Sequence, residues 1–260
     1  MVLHPAARHT ADLYLQLLKQ SLGDFLYDQD QGSPQTPVSY SDSRTGQKYH
    51  VSDYAELKYQ GLIGSKTAHT LIGMLRMNQL QEAVETLLSE DIPGDLIETG
   101  VLRGGACILM RGILAAWQDK QRKVWVADSF AGFPPETMQA LGLQSHPLPN
   151  ASLTDVQENF RRYGLLDEQV MFLPGWFKDT LPAAPIEKLA LLRLDGDFYE
   201  ATQESLHWLY PKVSTGGFVI IDDYYALEEC RRAVREYRQA HQISTPLIRV
   251  DAACVYWRKA

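Results

Sequence analysis

The sequence predicts an α/β protein built on a mostly parallel sheet with helices on both faces. Three observations carry this. From Pro93 onward, short apolar runs alternate with stretches of helical periodicity, the pattern of parallel strands joined by crossover helices. Runs such as "KVWVADS", "KLALLRLDGD" and "GGFVIIDD" are apolar throughout rather than alternating, as strands covered on both faces must be. The distinctive polar residues fall where those runs end: Glu98, Asp128, Asp195, Asp197, Asp222 and Asp223. In open parallel sheets, ligands bind beyond the carboxyl ends of the strands.

Residues 1–92 carry helical periodicity and little that reads as strand. "TADLYLQLLKQSL" places Leu13, Leu15, Leu17 and Leu18 near helical spacing, and "TLIGMLRMNQLQEAVETLLSE" forms a longer amphipathic helix. Between them, "YDQDQGSPQTPVSYSDSRTGQKYHVSDY" is polar and rich in Gly, Pro and Ser, which predicts a long loop or flap. In residues 93–260 the reading is regular. "GDLIETG" is a strand closed by glycine, "GGACILMRGILAAW" the helix after it, and "KVWVADS" the second strand. A Pro- and Gly-rich loop (Ala131 to Ala151) leads into the helix "LTDVQENFRRYG", with Gly164 as its C-cap. "VMFLPG", "KLALLRLDGD" and "GGFVIIDD" follow as strands, with the helix "YEATQESLHWLY" between the last two. The helix "LEECRRAVREYRQAH" precedes "LIRV" and "CVYWR", which read as an antiparallel hairpin.

Bulk properties narrow the function. A chain of 260 residues, 45% apolar, supports one α/β domain with an added segment. Its net charge of -7 argues against a general binder of nucleic acid or anionic membrane. Three unpatterned cysteines argue against a disulfide framework. With no secretion signal and no membrane-length apolar run, a cytoplasmic setting is expected. The seven histidines, His69 and His146 among them, show no ligand spacing, and no Ser/His/Asp or Cys/His arrangement is recoverable.

Each strand-end motif has two readings. In "ETGVLRGGA", Gly100, Gly104 and Gly105 allow either close backbone approach to a ligand or an ordinary tight turn. The spacing is not the G-x-G-x-x-G of dinucleotide sites. Glu98 just before the turn would repel a pyrophosphate and suit a cationic ligand. Asp128 in "VWVADSF" either accepts hydrogen bonds from ribose hydroxyls or caps a turn. Trp176 and Phe177 in "PGWFKDTLP" either flank an adenine ring or pack internally. Asp195, Asp197, Asp222 and Asp223 are caps and solvated strand ends, or hard oxygen donors converging on Mg2+ or a similar cation.

The blocks "PGDLIETGVLRGGACI", "VWVADSFAGFPP", "RRYGLLDEQVMFLPGWFKDTLP", "LALLRLDGDFYEAT" and "GGFVIIDDY" resemble the macrocin O-methyltransferase family, bacterial enzymes that methylate antibiotic sugars. "AHTLIGMLRMNQLQEAVE" resembles the helix preceding that family's cofactor fold. The resemblance runs from about Tyr59 to the end of the chain. It implies a class I S-adenosylmethionine methyltransferase (Rossmann-like) fold, a mostly parallel seven-stranded sheet with an N-terminal helical and lid extension. The implied cofactors are S-adenosyl-L-methionine as methyl donor and Mg2+ or another divalent cation. By position, Asp195, Asp222 and Asp223 match metal ligands and Asp197 the general base. Thr70, Glu98, Gly100, Gly104, Asp128, Ser129 and Trp176 match the donor-binding positions. The implied reaction methylates a sugar hydroxyl on a glycosylated secondary metabolite. A non-sugar diol or catechol is the alternative acceptor. A nicotinamide oxidoreductase would need the phosphate-binding fingerprint that is missing, and a silent binding module would not need the carboxylates. Apolar residues on the N-terminal helices suggest a homodimer.

Overall fold

A computed structural model describes residues 5–27, 38–41, 48–51, 54–140 and 150–260. Helix α1 (Pro5–Leu22) opens the chain, followed by strands β1 (Val38–Ser41) and β2 (Lys48–Val51) and helices α2 (Tyr54–Tyr59) and α3 (Gly73–Ser89). The α/β pattern then begins with β3 (Asp95–Thr99), α4 (Gly105–Ala116) and β4 (Val124–Asp128). Next come α5 (Pro135–Ala140), α6 (Leu153–Arg162), β5 (Val170–Pro174) and α7 (Phe177–Thr180). Strand β6 (Leu189–Leu194), α8 (Tyr199–Leu209), β7 (Val213–Ile221), α9 (Glu228–Ala240), β8 (Ile248–Arg249) and β9 (Val255–Arg258) complete it.

The main sheet has the order β5-β4-β3-β6-β7-β9-β8. Strands β3 to β7 pair in parallel, β9 runs antiparallel to β7, and β8 antiparallel to β9. The expected parallel core and terminal hairpin are both present. All six residues of β6 are buried, consistent with its uninterrupted apolar sequence.

Side chains alternate between two hydrophobic clusters, one on each face of the sheet. Leu96, Val124, Val126, Leu191 and Ile220 join one, with α1, α3, α4 and α6. Ile97, Trp125, Leu192, Val219 and Ile221 join the other, with α8 and α9. Leu15, Leu18 and Leu22 of α1 are buried in the first cluster, whereas Leu13 and Leu17 face outward. Ser152 and Asp155 close a reciprocal capping box at the start of α6, and Gly164 follows that helix at a φ of +67°.

One segment differs from the sequence reading. Within the stretch expected to be loop, β1 and β2 pair antiparallel, Val38 with Val51 through Ser41 with Lys48. Four-residue strands are too short for alternation to stand out against the turn-forming residues around them. The rest of that stretch, and residues 141–149 with His146, lie outside the described residues. Among the described residues no helix is long and apolar enough to cross a membrane. All three cysteines are buried and free.

Candidate active site

Sheet register builds the site. Thr99 aligns with Ala127 and with Leu194, and Leu194 with Ile221. The next residue on each strand is therefore Gly100, Asp128, Asp195 or Asp222, so four parallel strands deliver their polar ends to one line. Above that line opens a cavity of about 1110 Å³. Of the residues singled out from sequence, Thr70, Glu98, Gly100, Asp128, Ser129, Trp176, Asp195, Asp197, Asp222 and Asp223 all line it.

The wall over β3 and β4 is held by the acidic strand end. Asp128 accepts the Val101 N–H at 2.7 Å and the Phe130 N–H at 2.8 Å, tying the turn after β3 to the turn after β4. The Ser129 hydroxyl donates to the Gly132 carbonyl at 2.6 Å. Gly100, at a φ of +85°, lies so close to β6 that a Cβ there would sit 2.0 Å from the Asp195 carbonyl oxygen. Thr70 is buried, and its N–H bonds to the Leu22 carbonyl at 3.2 Å. Gly104 stands apart: it precedes α4 at a φ of +83°, is not on the cavity wall, and a Cβ there would meet Val156 at 2.7 Å. Its visible task is to seat α4 against α6. Trp176 and Phe177 form the wall after β5, and Phe133 packs edge-on against Phe198 at 5.0 Å on the side of Asp197.

At the tips of β6 and β7, Asp195, Asp197 and Asp223 each bring one carboxylate oxygen within 4.8 Å of the others. Asp222 does not join them. One of its oxygens accepts from Arg76 Nη1 at 2.5 Å and the other from Arg193 Nη2. Arg193 Nη1 also binds Glu98 and Asp195, both at 2.6 Å. Glu98, expected to face a cationic ligand, thus has a resident cation, and its second oxygen accepts the Cys107 thiol at 3.0 Å. Asp197 adopts a left-handed φ of +60°, a backbone cost of the kind concentrated at functional sites.

These carboxylates are short of positive charge. Arg76 and Arg193 pair with Glu98, Asp195, Asp222 and Asp251, two cations against four carboxylates, and Asp197 and Asp223 add two more acids beside Asp195. Burial, then mutual repulsion, pushes Asp195 up to about 6 and Asp197 up to about 7, and carries Asp223 well above the carboxylate range. Asp223 Oδ2 is buried with no hydrogen-bond partner. An orphaned buried oxygen beside two more convergent carboxylate oxygens fits a hard divalent cation.

Neither arginine was singled out from sequence, yet both left a signal. Arg193 interrupts an otherwise apolar strand, and Arg76 sits on the apolar stripe of a helix. A charged residue at such a position is buried only if paired.

A seven-stranded sheet of this order, with a single antiparallel insertion between β7 and β8 and its ligand cavity at the parallel strand tips, is that of a class I S-adenosylmethionine-dependent methyltransferase. A family model described as Macrocin-O-methyltransferase (TylF) matches residues 11–259, and the chain belongs to that family. It is 49% identical over 259 residues to the mycinamicin III 3''-O-methyltransferase of Micromonospora griseorubida, covering 96% of this chain and 97% of that one. It is 45% identical over 260 residues to the 8-demethyl-8-(2,3-dimethoxy-alpha-L-rhamnosyl)-tetracenomycin-C 4'-O-methyltransferase of Streptomyces olivaceus, covering 95% and 92%. Among solved structures, the O-methyltransferase NovP is 44% identical, with a TM-score of 0.81 over 96% of this chain and 99% of NovP. The chain is an O-methyltransferase.

Proposed function

We propose that this enzyme methylates a hydroxyl of a deoxysugar carried by a glycosylated secondary metabolite, using S-adenosyl-L-methionine and a divalent cation, Mg2+ in the cell. The carrying observation is the convergence of Asp195, Asp197 and Asp223, with an unpartnered Asp223 oxygen, at the edge of the cavity. The names of the relatives, which specify antibiotic and rhamnosyl substrates, support the acceptor class.

The donor, when bound, supplies a methyl group on an electrophilic sulfonium. Asp128 lies where a ribose is held in related sheets, and Gly100 keeps the turn beside it free of side chain. Thr70 and Ser129 complete that wall, and Trp176 and Phe177, on the wall after β5, would hold the adenine. Glu98, its charge offset by Arg193, anchors the base of the pocket.

Asp195 and Asp223 hold the cation in this reading. Asp222, matched to the metal by family position, has both oxygens on arginines here, and its task is to brace its neighbours. The cation, when bound, lowers the pKa of a coordinated hydroxyl. Asp197 takes the hydroxyl proton onto its carboxylate oxygen, a positioned base at the cavity edge. Phe133 and Phe198, beside it, shield that oxygen from water and offer an apolar face to the deoxysugar. The segment before the α/β pattern contributes to the cavity wall through Thr70 and Arg76.

Metal removal tests this directly. Turnover of a rhamnosyl or other deoxysugar glycoside should vanish in excess chelator and return with added Mg2+. Full activity in chelator would exclude the metal-assisted reading, and preference for catechols over glycosides in the same assay would exclude the sugar.

A further inference from the structure

We infer that Arg76, on α3, is a positioning residue for the catalytic carboxylates, clamping the Asp222–Leu227 turn from both sides. The inference rests on the metal-assisted O-methyltransferase reading. Arg76 is buried and forks to two carboxylates: Nη1 donates to Asp222 at 2.5 Å and Nε to Asp251 at 2.6 Å.

Each prong braces the turn by its own route. On the strand side, Asp222 is fixed further by its N–H to the Leu194 carbonyl at 3.0 Å and by Arg193, which also grips Asp195 at 2.6 Å. On the far side, the other oxygen of Asp251 accepts the N–H groups of Ala253 and Cys254, both at 2.8 Å. The Ala253 carbonyl then receives the Tyr225 N–H at 2.9 Å. Asp223 lies between these anchors. Its own carbonyl accepts the Ala226 N–H at 3.1 Å and the Leu227 N–H at 2.9 Å, so its backbone cannot shift unless an anchor lets go.

Arg76 is itself delivered precisely enough for this by backbone contact at the start of α3. Gly73, at a φ of +71°, packs so closely on Gly61 that a Cβ there would lie 2.3 Å from the Gly61 nitrogen. Arg76 follows one turn later. A planar guanidinium can serve two carboxylates in fixed directions, which a lysine ammonium on a flexible stem does not reproduce. The catalytic tip of β7 is thereby braced from a helix that precedes the α/β pattern.

Loss of a purely stabilising ion pair would lower the melting temperature and leave the Mn2+ affinity and kcat of the folded protein unaltered. Arg76→Lys and Asp251→Asn separate the two roles when melting temperature, Mn2+ affinity by electron paramagnetic resonance, and kcat and KM are measured together. We expect each variant to lose roughly 10- to 100-fold in Mn2+ affinity or kcat, as loss of a partner supporting metal ligands does, while KM for the donor holds. The double variant should be little worse than the more damaged single one, because both act through one network. Lowered melting temperature with wild-type Mn2+ affinity and kcat overturns the inference. Should Arg76→Lys fail to fold, Asp251→Asn decides alone, since it keeps the Arg76–Asp222 pair. A wild-type protein that binds no Mn2+ overturns the functional reading as well, whereas an active wild type with unchanged variants overturns this inference only.

Discussion

Asp197→Asn should bind donor and metal but turn over roughly 10²- to 10⁴-fold more slowly, the usual contribution of a positioned base. The replacement keeps the size and the hydrogen-bonding oxygen of the side chain while removing its capacity to take a proton. Asp197 lines the cavity at the tip of β6, held at a φ of +60°, and the same backbone conformation persists in the variant because asparagine tolerates the left-handed region. The loss should therefore fall on kcat and not on donor KM, the pattern of an interaction made only in the transition state. Asp197 also belongs to the convergent trio, so its role as base has to be distinguished from a role as ligand. Mn2+ titration of the variant does so: retained affinity with lost rate identifies a base, and lost affinity identifies a ligand. Turnover within a factor of about two of wild type would exclude both, well outside the usual range for a base.

Arg193→Met should be the most destabilising single change in the site, costing about 3–5 kcal/mol, the penalty for stripping the partner from buried charges. One guanidinium, almost fully buried, serves Glu98, Asp195 and Asp222, and methionine would fill the space while leaving all three without it. Burial already raises Glu98 to about 7 and Asp195 to about 6 with Arg193 opposing the rise; its removal drives both higher. A carboxyl group whose folded pKa lies above its unfolded one binds more protons when folded, so it stabilises at low pH and that contribution disappears as pH rises through the folded value. The variant's urea midpoint should accordingly climb as pH is lowered from 8 toward 5, closing part of the gap to wild type. A midpoint within error of wild type at pH 8 would contradict the charge accounting.

Much of this was legible before any coordinates. Continuous apolar runs ending in Glu98, Asp128, Asp195 and Asp222 specify buried parallel strands with polar tips, and the main-sheet elements fall where the periodicity puts them. What sequence could not supply was pairing across distance. Arg76 and Asp222 are 146 residues apart, and nothing local distinguishes an aspartate that faces a cavity from its neighbour that faces a guanidinium. Asp222 and Asp223 are adjacent in the chain yet meet different surroundings, because β7 ends at Ile221 and the chain turns through both. Gly104 carries a further constraint that the sequence did not reveal: at a left-handed φ, it lets α4 pack closely on α6. The β1–β2 ribbon was obscured because four-residue strands carry too little alternation to be seen in a turn-rich segment.

Electron paramagnetic resonance titration of Mn2+ into chelator-treated protein, wild type beside Asp223→Asn, tests the shared cation most directly. The account predicts a bound Mn2+ signal in wild type, displaced by Mg2+, and a loss of affinity of roughly 10- to 100-fold or more when the carboxylate with the unpartnered oxygen is replaced, since loss of an outer partner alone costs that much. Wild-type protein that leaves all Mn2+ free, or a variant that binds it as tightly, would contradict it.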